Sequence, residues 1–109
     1  EECLFCKIAA GEIPANKLYE DEQVLAFYDI HPQAKVHFLV IPKRHIASAA
    51  ALTEGDAALL GHIFAVIAQL AQQTGLENGY RVVSNVGPDA GQTVPHLHFH
   101  VLGGEVLPV

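Results

Sequence analysis

The segment from Thr93 to Gly104, TVPHLHFHVLGG, places three of the chain's seven histidines at alternate positions, His96, His98 and His100. An imidazole ordinarily titrates near pH ~6.5, so at neutral pH most of it is unprotonated and can attack, donate, accept or bind a metal. Successive side chains on a strand point to opposite faces, which puts the three imidazoles on one face and Leu97, Phe99 and Val101 on the other. The apolar set belongs in the core. The imidazoles are then expected to line the opposite surface at intervals of about 6.6 Å, twice the rise per residue.

Such a row has three chemical readings. It can merely fill a semi-exposed face. It can bind zinc through His-x-His, although His96 and His100 lie about 13 Å apart at their α-carbons on this spacing, so one ion should not take all three. It can also attack phosphorus. A covalent adduct on the middle imidazole splits a hard displacement into two easier steps, while flanking imidazoles donate hydrogen bonds to the phosphoryl oxygens. The adjoining loop of Gly87, Pro88, Asp89, Ala90 and Gly91 supports this third reading. Beside a glycine, the Gly91-Gln92-Thr93 backbone and the Thr93 hydroxyl can approach a phosphate closely.

The elements that must position these groups follow from pattern. LFCKIAAGEIP predicts a short N-terminal helix or turn closed at Gly11 and Pro14. KLYEDEQVLAFYDI predicts two strands, Lys17–Glu20 and Val24–Asp29, joined at Asp21-Glu22, and HFLVIP predicts a buried strand ended by Pro42. A helix is expected from about Glu54 to Thr74, opened by Thr53 with Asp56 three residues on and closed by Gly75. Its apolar face is Leu59, Leu60, Ile63, Phe64, Ile67, Leu70 and Ala71, with His62, Gln69, Gln72 and Gln73 elsewhere. Two further strands, YRVVSN and HLHFHVL, flank the glycine loop. Strand clusters on either side of one long helix indicate an α+β fold with a mostly antiparallel sheet.

Composition bounds the rest. With 109 residues, half of them apolar and 17% charged, the chain is expected to form a single domain over 1–109. Twelve acidic against six basic residues, with no basic cluster beyond Lys43-Arg44, argue against a nucleic-acid partner, whose phosphates need many Lys and Arg contacts. A single small anion remains compatible, since backbone N–H groups and imidazoles suffice for one phosphate. The longest unbroken apolar run, Ile63–Ala68, falls far below the ~20 residues of a membrane span, and no signal-peptide pattern opens the chain, so no membrane segment and a cytoplasmic location are expected.

HLHFHVLGG matches the His-x-His-x-His-x-x pattern of the histidine-triad (HIT) family. EIPANKLYEDEQVLAFYDIHPQAKVHFLVIPKRHI, LLGHI and GYRVVSNVGPDAGQTVPHLHFHVLGG resemble its Hint branch, the histidine-triad nucleotide-binding proteins, over nearly the whole chain. The resemblance implies a HIT-like fold, a five-stranded sheet with one long helix and a short N-terminal helix, and an intimate homodimer in which two sheets continue into one, with GYRVVSN and the long helix at the interface. It implies hydrolysis of purine nucleoside phosphoramidates, such as adenosine 5′-phosphoramidate, through a nucleotidyl-histidine intermediate. His98 would be the nucleophile and His100 an α-phosphate contact, while His96 and His45 would support the nucleophile. Thr93 stands where family members often carry Ser, near the leaving group. Asn85 matches a phosphate- or ribose-side contact. Asp29 matches the carboxylate that accepts both ribose hydroxyls, a role within the capacity of one carboxylate. Leu4, Phe5, Phe27 and Ile30 correspond to apolar walls of the base pocket.

The family chemistry needs no metal cofactor. In a subset of members two cysteines spaced like Cys3 and Cys6, with residues matching His45 and His96, hold one structural zinc, and this Cys2His2 set is suited to tetrahedral coordination. Two buried thiols without metal are the alternative. A thioredoxin-like redox pair is disfavoured because no strand precedes Cys3. Competing functions are a dinucleoside polyphosphate hydrolase or nucleotidyl transferase, a nucleotide-sensing or partner-regulating module, and a zinc-dependent hydrolase built on His-x-His. The complete triad argues against the module, since binding alone requires no free nucleophile.

Overall fold

The computed structural model describes residues 3–109. Five strands form one antiparallel sheet in the order β1-β2-β3-β5-β4: β1 Lys17–Glu20, β2 Val24–Tyr28, β3 Val36–Pro42, β4 Tyr80–Val83 and β5 Phe99–Gly103. Helix α2, Ala57–Gln73, packs on one face, and the short α1, Leu4–Ala9, on the other. The expected α+β architecture is present.

The two faces follow from the two-residue period of the strands. Val24 and Ala26 of β2, Phe38 and Val40 of β3, and Phe99 and Val101 of β5 join Leu59, Ile63, Val66, Ile67, Leu70 and Ala71 of α2 in one core cluster. The intervening Leu25, Phe27, Leu39 and Ile41 join Cys3, Phe5 and Ile8 in a second. Both faces of β2 and β3 are therefore covered, which explains their nearly continuous apolar sequences. Each fully buried large side chain contributes about 1.5–3 kcal/mol relative to exposure.

Local departures from expectation have local causes. Glu54–Asp56 form a 3-10 turn ahead of α2, held by the Thr53/Asp56 capping box. Val66 joins the buried face, whereas Phe64 stays 45% exposed with its ring edge on Phe99. From Glu54 to Gln73 the segment is long and apolar enough to cross a membrane by length and composition, unlike its longest unbroken run, but its apolar stripe lies in the core against the sheet. The last strand begins at Phe99 rather than His96. Ahead of it, Leu97 N–H donates to the Ile46 carbonyl and the Ser84 hydroxyl to the His98 carbonyl, so no ladder forms there. For the same reason β4 ends at Val83, short of Ser84-Asn85.

His62 of α2 is tied to the β1–β2 turn. Its Nε2 and the Tyr19 hydroxyl each lie 2.6 Å from Asp21 Oδ2, while Asp21 Oδ1 accepts from the Gln23 and Val24 N–H groups. Burial would raise the Asp21 pKa, but these four donors outweigh it and hold the carboxyl well below its ordinary value.

Candidate active site and an adjacent thiol–imidazole cluster

The imidazoles do lie on the face opposite Leu97, Phe99 and Val101, but they do not form an exposed row. His96 is fully buried and His98 is 7% exposed, because α1 covers this face and the Phe5 ring edge meets both His96 and His98. The covering helix was legible; its docking against the histidines was not. The three rings also divide between two neighbourhoods.

His98 and His100 line an open cavity of about 500 Å³. The His98 Nδ1 is 2.6 Å from the His96 carbonyl oxygen. A carbonyl only accepts, so Nδ1 carries the proton and Nε2 keeps its lone pair. In the neutral ring Nε2 is then the atom able to attack an electrophile or bind a metal. The His100 ring lies 5.0 Å from the His98 ring, centroid to centroid.

His37, which sequence reading left inside an apolar strand, completes the arrangement. On β3 it pairs with Leu102, while its neighbour Leu39 pairs with His100, so His37 and His100 are diagonal neighbours on one face. Gln33 N–H donates to His37 Nδ1 at 3.1 Å, leaving Nε2–H to donate to His100 Nδ1 at 3.0 Å. His100 then presents Nε2–H as a donor. Burial pushes the His37 pKa down, partly offset by Asp29, and burial with the neighbouring imidazoles takes His100 down to about 4. Both are neutral at neutral pH. The only signal in the sequence was one polar residue in an apolar run of strand type.

The same cavity brings together Leu4, Phe5, Phe27, Asp29, Ile30, Asn85, Gly91 and Thr93. Phe5 and Phe27 are buried and meet edge to face, whereas Leu4 is 43% and Ile30 85% exposed, so these two form the rim rather than packed walls. Asp29 is anchored by the His31 N–H on Oδ1, and its Oδ2 lies 3.5 Å from His37 Nε2. Gly87 and Gly91 both take φ near +80°, which side chains rarely adopt, and turn the loop over the cavity. Gln92 does not line it. Its side chain holds the loop, accepting from Gly87 N–H and donating to the Ala47 and Val94 carbonyls. A second cleft, of about 480 Å³, lies by β4 and contains Tyr80, Arg81 and Glu105 but none of the triad.

A family model for the HIT domain matches residues 10–107. The chain belongs to the HIT family. Its sequence is 52% identical over 107 residues to an uncharacterised HIT-like protein of Synechococcus elongatus, covering 98% of this chain and 94% of that one. The crystal structure of a HIT family hydrolase from Legionella pneumophila superposes with a TM-score of 0.96 at 51% identity, over 98% of this chain and 96% of that one. A histidine triad nucleotide-binding protein from Candida albicans matches with a TM-score of 0.84 at 36% identity, over 99% and 84%.

In this HIT domain the remaining triad member, His96, faces Cys3, Cys6 and His45. Cys3 Sγ lies 3.2 Å from His96 Nδ1, Cys6 Sγ 3.5 Å from the same atom, and Cys6 Sγ 3.3 Å from His45 Nδ1. The cysteines are not joined in a disulfide. The four donor atoms lie within 4.8 Å of one another. His96 Nε2 donates to the Pro42 carbonyl at 2.8 Å, which fixes its lone pair on Nδ1, toward the thiols. Burial keeps His96 neutral by pushing its pKa down. Donor chemistry, spacing and tautomer all fit a tetrahedral zinc.

Proposed function

We propose that this HIT protein hydrolyses the P–N bond of purine nucleoside 5′-phosphoramidates, of the adenosine 5′-phosphoramidate type, through a nucleotide covalently held on His98, and that it belongs to the Hint branch. The observation that carries the reading is the 2.6 Å contact of His98 Nδ1 with the His96 carbonyl, which in the neutral ring leaves the lone pair on Nε2, in a cavity lined also by His100 and Asp29. The hydrolase from Legionella pneumophila and the nucleotide-binding protein from Candida albicans support it as relatives.

In the first step His98 Nε2 bonds to the α-phosphorus, and the P–N bond breaks with its electron pair going to the amine. The amine takes up one solvent proton beside the Thr93 hydroxyl, balanced by the proton that the attacking water gives up to solvent in the second step. The adduct makes His98 cationic, and the His96 carbonyl on Nδ1–H stabilises that charge. His100 Nε2–H donates to a phosphoryl oxygen, Asn85 and the Gly91–Thr93 segment contact the phosphate or ribose side, and Asp29 accepts from the ribose hydroxyls. Phe5 and Phe27, with Leu4 and Ile30 at the rim, enclose the base. Water then attacks phosphorus, releasing the nucleoside monophosphate and restoring neutral His98.

No metal takes part in this reaction. Cys3, Cys6, His45 and His96 would hold a zinc, which when bound would supply a structural cross-link between α1, the segment after β3 and the approach to β5. We further read the chain as a homodimer formed through the outer strand β4 and α2, where Tyr80 and Phe64 are exposed. The test compares turnover of adenosine 5′-phosphoramidate with that of a diadenosine polyphosphate, before and after chelation. Faster phosphoramidate cleavage that survives chelation supports the reading; cleavage of the polyphosphate alone makes it a dinucleoside polyphosphate hydrolase. Nucleotide binding without turnover makes it a sensing module.

A further inference from the structure

Besides the thiol cluster, a second set of metal-competent atoms sits at the cavity: Asp29 Oδ2, His37 Nε2 and His100 Nδ1. Their separations are 3.0 Å between the two nitrogens, 3.5 Å from His37 Nε2 to Asp29 Oδ2, and 4.0 Å from His100 Nδ1 to the same oxygen. Ligand bonds of 2.0–2.1 Å in a tetrahedron give edges of about 3.3 Å. The three observed edges bracket that value, so a triangular face is formed with sub-ångström adjustment. We propose that Asp29, His37 and His100 form a second metal site, for a divalent transition ion of the Zn²⁺ class, distinct from the Cys2His2 cluster.

The supporting chemistry is local. Two imidazoles and one carboxylate, with a fourth position open, make a donor set suited to an exchangeable zinc rather than a closed structural one. Asp29 and His100 line the cavity, giving the ion an entry path, and none of the lining residues is Lys or Arg to repel it. The Asp29 carboxylate is held in place by His31 N–H on its other oxygen.

Binding requires one proton to move. His37 now carries its proton on Nε2, donating to His100; to ligate through Nε2 it must carry it on Nδ1 instead. His100 already has its lone pair on Nδ1, so no proton is released overall. The Gln33 N–H then loses its acceptor, but Gln33 is exposed and water replaces it. His37 Nδ1–H then faces the Gln33 N–H donor to donor, and because His37 is only 3% exposed, the exposed Gln33 turn has to move aside before a water can accept from it.

The ion would occupy the carboxylate that the hydrolase reading gives to the ribose. This consequence, competition between ion and nucleotide, rests on that reading; the metal site does not. The ion is thus an inhibitor of the same pocket, regulating occupancy rather than taking part in the chemistry.

Co²⁺ titration followed by absorption separates the two clusters, since only the cysteine site gives thiolate-to-metal charge-transfer bands. The expected result is one equivalent per chain with visible cobalt absorption but without charge transfer, weakened at least tenfold by His37→Gln and by Asp29→Asn, each checked for folding by thermal unfolding. The charge-transfer signal stays unchanged in both variants. Absence of the thiolate-free equivalent in the wild type, or its persistence in the two variants, overturns the proposal. AMP added to the cobalt-loaded protein should displace this equivalent alone. If the variants lose the ion yet AMP fails to displace it, the ribose placement falls and the metal site stands.

Discussion

The two faces of the sheet are built from the same strands by the same alternation, yet they hold different things. Toward α2 lie Val24, Ala26, Phe38, Val40, Phe99 and Val101, an unbroken apolar surface under a long amphipathic helix. Toward α1 lie Leu25, Phe27, Leu39 and Ile41, but also His37 and His100, with His96, His98 and two cysteines closing around them. A 17-residue helix buries the centre of the first face. The six-residue α1 seals only part of the second and leaves a cavity beside it. The difference teaches that stability and chemistry are divided between the faces of one sheet, so a substitution's effect should depend on the parity of its position as much as on its burial.

The largest expected contrast pits His98 against Phe38. His98→Ala should lower phosphoramidate turnover at least ~10³-fold, the scale for loss of a nucleophile, while shifting stability little. Phe38→Ala, fully buried on the α2 face, should cost about 3–5 kcal/mol in urea denaturation and leave turnover per folded molecule near wild type. If Phe38→Ala removed activity from the folded fraction, or His98→Ala unfolded the chain, the division between faces would fail.

Smaller, and specific to the α1 face, is the dependence of stability on acid. His37, His96 and His100 all have pKa values lowered from 6.5 by burial, with His100 at about 4. A histidine depressed in the folded state is protonated first in the unfolded state, so its contribution is complete above pH 6.5 and is lost as pH falls toward about 4. For His100 alone, lowering the pH from 7.5 to 5 should cost about 2 kcal/mol in chelator-treated protein. His100→Gln should flatten this limb, whereas Val40→Ala, on the other face, should lower the whole curve without changing its slope. Equal slopes in wild type and His100→Gln would contradict the assigned burial.

How much of this was legible beforehand follows the same division. The strands, the capped helix and the inward set Leu97, Phe99 and Val101 could be read from periodicity, because burial on the α2 face leaves a regular pattern. The triad could be read from spacing, and the loop from its glycines. His37 could not, since a lone histidine in HFLVIP carries no period of its own and gains its role only from the register that sets it diagonal to His100. The burial of His96 and His98 was also hidden. It depends on α1 folding back across 93 residues of chain, a long-range contact with no local signature. Gln92 was expected to offer its backbone to the phosphate; the separate role of its side chain, which holds the loop through the Ala47 and Val94 carbonyls and the Gly87 N–H, had no signal in the sequence.

The smallest expected effect sharpens the outer boundary of the α2 face. Phe64→Ala should lower the stability of the isolated chain by only about 1 kcal/mol, because that ring is half exposed and keeps one aromatic contact, with Phe99, and should chiefly weaken self-association measured by sedimentation.

The account stands most directly on the atom that bonds to phosphorus. Brief reaction with adenosine 5′-phosphoramidate, quenched under alkaline conditions and digested for peptide mass spectrometry, should yield an AMP adduct on the peptide carrying His98, with fragment ions placing it on that residue. An adduct on His96, His100 or Thr93 instead, or turnover with no adduct under single-turnover conditions, would contradict it.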